Sequence, residues 1–263
     1  MRLMTTPMTA CFCVTALLRL QAQEGRDALS KSELSVFAGI GASAQLNAAA
    51  SPLRFHGRGP DIATEYRRTL RSDRLELSIA ASGAARSVMA AELVTATERL
   101  TAGRVGASVL RQFACDSSRR VLGVGVAAGA DLSLTNHQYA NPSQSTGDYL
   151  AAFATLGPAA SWRERVGGAE AQLQVSAPLV ALVDRPYSAL KRNDAPTSVR
   201  VASLGSFRGI RGELSYAPAE RRRTGIVYAY RFTVAEYADV QPLRTASQSL
   251  TVGVVRRFGR GPQ

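Results

Sequence analysis

The sequence predicts an all-β fold, a ten-stranded antiparallel up-and-down transmembrane β-barrel, on three observations. Apolar residues recur at every second position through ten segments, the connections between those segments alternate long and short, and a short apolar leader precedes them. A period of two belongs to a strand with one apolar and one wet face. A Greek-key sandwich has no reason to alternate its loop lengths, whereas a barrel with one smooth and one loop-rich rim does. No stretch reaches the roughly twenty apolar residues that a membrane-crossing helix needs. A chain that is 46% hydrophobic and 20% charged is not wholly disordered. Two His and three Cys leave little material for zinc, and no metal or cofactor is expected.

Residues 1–23 read as a signal peptide. Arg2 supplies the positive start, and residues 9–18 (TACFCVTALL) supply an apolar core too short to span a bilayer. Its removal takes Arg2 and Arg19 with it, so the net charge of +12 falls to 12 − 2 = +10. Cys11 and Cys13 go as well, which leaves Cys115 without a partner for an internal disulfide. The remainder divides into a short periplasmic segment over 24–32, the barrel over 33–259 and a tail over 260–263.

The first strand is the clearest. Across 34–46 every even position is apolar, from Leu34 and Val36 to Leu46, and the odd positions are mostly small or polar. The alternation returns over 62–71 and, after a Ser72-Asp73 turn, over 74–86. It continues over 102–113 and 120–134, on either side of a turn at 114–119. The strand over 147–163 contains Pro158, which cannot donate to a ladder and marks an expected bulge. Val166-Gly167-Gly168 turns the chain into 169–183. The segment 199–216 begins with Val199 and Val201 on its apolar face and ends with Ile210, Leu214 and Tyr216 there. That change of phase requires a bulge near Gly205 or Gly209. The segments 223–237 and 246–258 complete the ten. Long connections are expected near 48–61, 87–101, 135–146, 184–198 and 238–245, with both termini and the short turns facing the periplasm.

Alternation alone does not say which face is inside. A lipocalin-like soluble barrel keeps its apolar face inward around a small apolar ligand, and a membrane barrel does the reverse. The leader favours the membrane. So does the second face, where Gly, Ser and Ala mix with opposed charges that must pair in a narrow lumen. Arg67, Arg104, Arg208 and Arg231 are the candidate lining cations, with Glu65, Glu76, Asp131 and Glu170 as partners. Tyr66, Phe113, Tyr149, Trp162, Tyr216, Tyr237 and Phe258 form an expected partial girdle at the lipid–water interfaces. Arg68 and Arg111 fall on the apolar face beside short turns, where their cost is near zero rather than the roughly 2–4 kcal/mol of mid-bilayer.

In these features residues 33–259 resemble the superfamily of Gram-negative outer-membrane β-barrel proteins. The most specific part is the last strand, whose Leu250, Val252, Val254 and terminal aromatic Phe258 match the ending that the barrel-assembly machinery reads. Arg256 and the residues after Phe258 depart from that pattern. The resemblance implies outer-membrane location, with membrane lipid and the assembly machinery as partners.

Four functions are open at this point: a structural or surface-interaction barrel with its lumen largely filled by Arg and Glu, a narrow anion-preferring channel, an outer-membrane hydrolase, and the soluble lipocalin-like binder. The hydrolase reading rests on ten strands, the number found in the omptin proteases, and on His56, His137 and Asp61 near the loop-rich rim. No omptin motif is present. Nucleic acid is not an expected partner, because the arginines are scattered and no recognition motif accompanies them. Gly39-Ile-Gly41 and Gly123-Val-Gly125 continue as strand rather than helix, which removes the dinucleotide-loop reading and leaves them as space for bulky neighbours. A surface ligand and an oligomeric state are not legible.

Overall fold

The structure is a computed structural model that describes residues 31–48, 51–70, 74–91, 96–115, 119–139, 147–166, 168–184, 199–218, 223–238 and 242–258. The expected signal peptide and the tail lie outside the described residues. The strands are β1 (Lys31–Asn47), β2 (Ser51–Leu70), β3 (Leu75–Ala91), β4 (Ala96–Cys115), β5 (Arg120–Tyr139), β6 (Gly147–Val166), β7 (Ala169–Ser176), β8 (Val180–Asp184), β9 (Arg200–Ser203), β10 (Phe207–Ala217), β11 (Thr224–Tyr237) and β12 (Leu243–Phe258).

These twelve segments make ten staves. β7 and β8 both pair with β6, one after the other along its length, and β9 and β10 continue one another in the same way beside them. Every neighbour is antiparallel, and β1 pairs with β12 from Ser32↔Phe258 to Asn47↔Leu243. With the β5–β6 pairing the sheet therefore closes, and among the described residues the open edge that remains is that of the short β9, which pairs with β8 alone toward the loop-rich rim.

Both breaks have sequence causes. The Pro158 carbonyl accepts from Ala177 N at 3.1 Å. Its ring nitrogen, which has no hydrogen, faces the same edge, and there the neighbouring stave breaks its ladder at 177–179. The irregularity expected within the Pro158 strand thus lies across the ladder from it. The second break, at 204–206, contains Gly205 and flips the phase as the alternation requires. At the β6–β7 hairpin, Val166 pairs with Ala169 across two residues, and Gly168 takes φ 88°. That left-handed conformation is costly for any residue with a Cβ.

The strands are longer than the alternation predicts. Most of 48–61 and 87–101, expected as long loops, is strand, so the connections at 48–50 and 92–95 are no longer than the turns. The outward positions of these stretches explain the discrepancy. Arg54, His56 and Arg58 on β2 and Arg99 and Thr101 on β4 are exposed and polar, so the apolar half of the period disappears. Twenty residues at about 3.3 Å each, tilted by about 40°, rise roughly 50 Å, twice the ~25 Å apolar band of a membrane barrel. The 20-residue strands such as β2 and β4 are therefore longer than that band, whereas Leu182, Val199 and Val201 carry an apolar outer face higher on the side of β8 and β9.

Along the apolar band the barrel is apolar outside and polar inside. Ile40 (72% exposed), Ile62, Val126, Leu250, Val252 and Val254 face outward, whereas Glu76 and Arg86, and Glu98 higher on β4, are at most 1% exposed. Phe113, Trp162, Tyr216 and Tyr228 stand exposed near the short-turn end, and Phe258 ends β12 there. Arg111 and Arg256 lie over the rings of Phe113 and Phe258 at 5.4 and 5.3 Å. Among the described residues the girdle is confined to this end. Tyr149 and Tyr237, expected in it, point into the lumen, and Tyr66 is buried with its hydroxyl donating to Ser32 Oγ at 3.2 Å.

Candidate functional site: the lumen

Inward positions of ten staves converge on a narrow interior, and two belts of ionised side chains cross it. The lower belt lies at the short-turn end. Arg67 on β2 reaches Glu65 Oε1 at 2.8 Å and Glu76 Oε1 on β3 at 3.6 Å, and it donates across the lumen to Gln172 on β7. Arg163 on β6 returns the crossing, with Nη2 2.7 Å from Glu76 Oε2 and Nε 3.1 Å from Glu170. Gln112 also donates to Glu76, which is wholly buried. Arg165 pairs with Glu170 at 2.9 Å, and Arg257 with Glu33 at 3.1 Å. Four guanidiniums meet four carboxylates, so the belt is neutral. Burying a charge costs several kcal/mol unless it is paired and hydrogen-bonded, and here each carboxylate is paired and accepts at least one hydrogen bond, although Glu76 Oε1, Arg67 Nε and Arg163 Nε have no hydrogen-bond partner among the described residues.

An inward apolar cluster of Phe37, Val227, Ala229 and Val255 packs against this end of the lumen. Arg231 lies 4.2 Å from the Phe37 ring centroid.

The upper belt is built differently. Arg104 Nε on β4 contacts Asp131 Oδ1 on β5 at 2.8 Å, and Arg211 on β10 reaches across the lumen to the other oxygen of the same carboxylate. Arg104 Nη1 donates to Thr233 Oγ1 at 3.2 Å, and Arg211 Nη1 to Thr155 Oγ1 at 3.0 Å. Beside them Arg231 pairs with Glu213 at 2.6 Å. Arg86 pairs with Asp61 at 2.9 Å and donates to Ser43 Oγ and the Pro60 carbonyl. Four guanidiniums here meet three carboxylates.

Space remains on both sides of the upper belt. A cavity of about 210 Å³ lies toward the loop-rich rim, and one of about 160 Å³ toward the lower belt. Arg104, Arg211 and Arg231 line both. The larger has an apolar wall of Phe153, Phe207, Tyr237 and Leu243, continuous with an inward cluster that includes Val183 and Ala202.

Of the lining residues expected from the sequence, the lower belt holds Arg67, Glu65, Glu76 and Glu170, and the upper belt holds Arg104, Asp131 and Arg231. Arg208 requires correction: it is exposed on the outer face, with Nε donating to the Leu204 carbonyl at 3.3 Å. Its lumen assignment carried the phase of Val199 and Val201 past the break at 204–206, which reverses it. The same reversal brings in Arg211 and Glu213, both missed. Arg163 and Arg86 were missed as well, although the alternation of their own strands carries both onto the inner face.

The rim candidates do not converge. His56 is exposed on the outer face of β2, whereas Asp61 faces the lumen against Arg86. His137 occupies a ladder position between Glu98 and Gly147, three strands away, and its side chain lies outside the described residues. Leu250, Val252 and Val254 present one exposed outer stripe on β12 with Phe258 at its end, and Arg256 continues it. Cys115 is exposed beside the β4–β5 turn.

An apolar exterior, a paired ionic interior and closed antiparallel pairing define a transmembrane β-barrel. Comparison with solved structures finds the same fold among outer-membrane proteins. The outer membrane protease OmpT from Escherichia coli superposes with a TM-score of 0.61 at 7% identity, over 88% of this chain and 97% of that one. The translocator domain of the autotransporter NalP from Neisseria meningitidis gives a TM-score of 0.46 at 10% identity, over 95% and 97%. At these identities the likeness is one of fold. No family model matches the chain, and no curated protein matches it by sequence.

Proposed function

We propose that the protein is a non-conducting barrel of the Gram-negative outer membrane with a structural or surface-interaction role. The observation that carries this is the lower belt, where Arg67, Glu76, Arg163 and Gln172 bridge β2 and β3 to β6 and β7 across the lumen. Ions would have to part buried, mutually neutralising pairs to pass. The upper wall would then stand outside the cell as the contact surface, with both termini in the periplasm after removal of the signal peptide. The outer stripe of β12 would be the segment that the barrel-assembly machinery reads.

Purified protein in a planar bilayer is expected to give no conductance steps. The double variant Glu76→Ala, Arg163→Ala removes the crossing and is expected to give small steps. Resolved steps from the wild type would overturn the closed reading in favour of the narrow anion-preferring channel. Electrophoresis of outer-membrane fractions in cold detergent, with and without boiling, tests location. A closed barrel keeps its fold until heated and migrates differently, because its unfolding barrier is high.

A further inference from the structure

We propose that the cavity on the loop side of the upper belt is a binding site for a small amphiphilic anion, one carboxylate or sulfonate head on a single ring or short chain. Three observations converge on it. The first is charge. The lower belt balances four guanidiniums with four carboxylates, whereas the upper belt sets Arg86, Arg104, Arg211 and Arg231 against Asp61, Asp131 and Glu213. One positive charge is left over, and it falls where Arg104 and Arg211 share Asp131. Glu98, buried higher on β4, is not part of the lining.

The second is hydrogen bonding. Arg104 Nη2 is buried and has no partner among the described residues, while Nε and Nη1 of the same guanidinium are used. A buried donor without a partner costs about 1–3 kcal/mol, more when charged, and a small turn of the partly exposed Arg104 side chain would bring it to an anionic head in the cavity. The third is shape. Phe153, Phe207, Tyr237 and Leu243 form an apolar wall on the same cavity. An engineered cavity of about 150 Å³ takes up benzene, so one of about 210 Å³ admits one ring or a short chain. A ligand site is expected to combine an apolar wall with a few convergent polar groups, and this cavity does.

The site is independent of whether the lumen conducts, and binding can be read without current. The probes are benzoate and benzenesulfonate, with benzamide as the neutral match and acetate as the head alone. Isothermal titration and saturation-transfer NMR are run on the refolded barrel in zwitterionic detergent, with empty micelles as the blank. Both aryl anions are expected to bind, acetate and benzamide at least tenfold more weakly, and added salt to weaken the anions only. Arg104→Gln is expected to lose tenfold or more. Asp131→Asn, which frees both arginines, is expected to tighten binding, and Phe207→Ala to weaken aryl anions without changing acetate. The heat-induced gel shift of each variant establishes that it is folded. If Asp131→Asn or Arg104→Gln does not fold, Arg211→Lys and the salt dependence of the wild type give the same reading. Equal binding of benzamide and benzoate, or an anion affinity unchanged in folded Arg104→Gln, would overturn the proposal. So would the absence of any titration above the micelle blank.

Discussion

Gly41 shows how little space a ten-stave lumen leaves for one residue. It faces inward on β1, and a Cβ there would meet the Asp61 carboxylate and lie 2.6 Å from Arg86 Nη2. The glycine is the gap in which the Arg86–Asp61 pair sits. Gly103, on the outer face of β4, has nothing within 4 Å of the same position. The two make a matched test. Gly41→Ala must displace a buried ion pair and is expected to destabilise the barrel by about 1–3 kcal/mol, the usual cost of overpacking. Gly103→Ala is expected to be neutral or slightly stabilising, because it removes unfolded-state freedom without a clash. Urea midpoints in lipid vesicles check both. Equal midpoints for the two variants would mean that Gly41 is not serving as space. Glu76 illustrates the other residue-scale rule. A wholly buried carboxylate is tolerated because Arg67, Arg163 and Gln112 all converge on it.

At the scale of one strand, depth decides what an arginine costs. Arg111 sits on the outer face of β4 beside the short turn, over Phe113, where water and headgroups are within reach. Val126, outward on β5 and well within the apolar stretch that runs from Leu122 to Leu134, has no such outlet. Val126→Arg is expected to cost about 2–4 kcal/mol and Arg111→Leu close to nothing. Vesicle unfolding measures both, and a neutral Val126→Arg would place the lipid band elsewhere. The same dependence explains what the sequence revealed. Where a strand faces lipid, its outer positions must be apolar, so 34–40 and 120–132 could be read directly; 42–46 keep the alternation although their ladder partners are Arg58, His56 and Arg54. Above the lipid both faces are wet, the period loses its contrast, and 48–61 and 87–101 looked like loops. Within the band the inner belts were half legible. Their parity identified Arg67, Glu76 and Arg104, but a three-residue break at 204–206 exchanged Arg208 for Arg211. Which carboxylate each arginine meets was not legible at all, because pairs such as Arg67–Gln172 join strands from opposite walls.

For the whole molecule, orientation follows from where the apolar band stops. The lower rim carries the start of β1, the end of β12, the short turns, most of the exposed aromatic side chains and Cys115. The upper wall carries strand whose outer face turns polar, with Arg54, His56 and Arg58 exposed on β2. If the upper wall stands outside the cell, Cys115 is a native reporter of the opposite side. It is exposed, and if residues 1–23 with Cys11 and Cys13 are removed as proposed it is the lone thiol that remains. A membrane-impermeant maleimide applied to intact cells is expected to leave Cys115 unmodified and to label it once the outer membrane is permeabilised. In a Cys115→Ser background, Arg58→Cys is expected to be labelled on intact cells. Ile62→Cys, four residues along the same outer face but 63% exposed toward lipid, is expected to resist the reagent in both conditions. Thiolate supply does not separate the two β2 sites, since both are on the same strand and face, so the contrast reports immersion. Labelling of Cys115 on intact cells would invert the barrel. Labelling of Ile62→Cys at the rate of Arg58→Cys would move the lipid boundary down the wall and shorten the band to less than the strands supply.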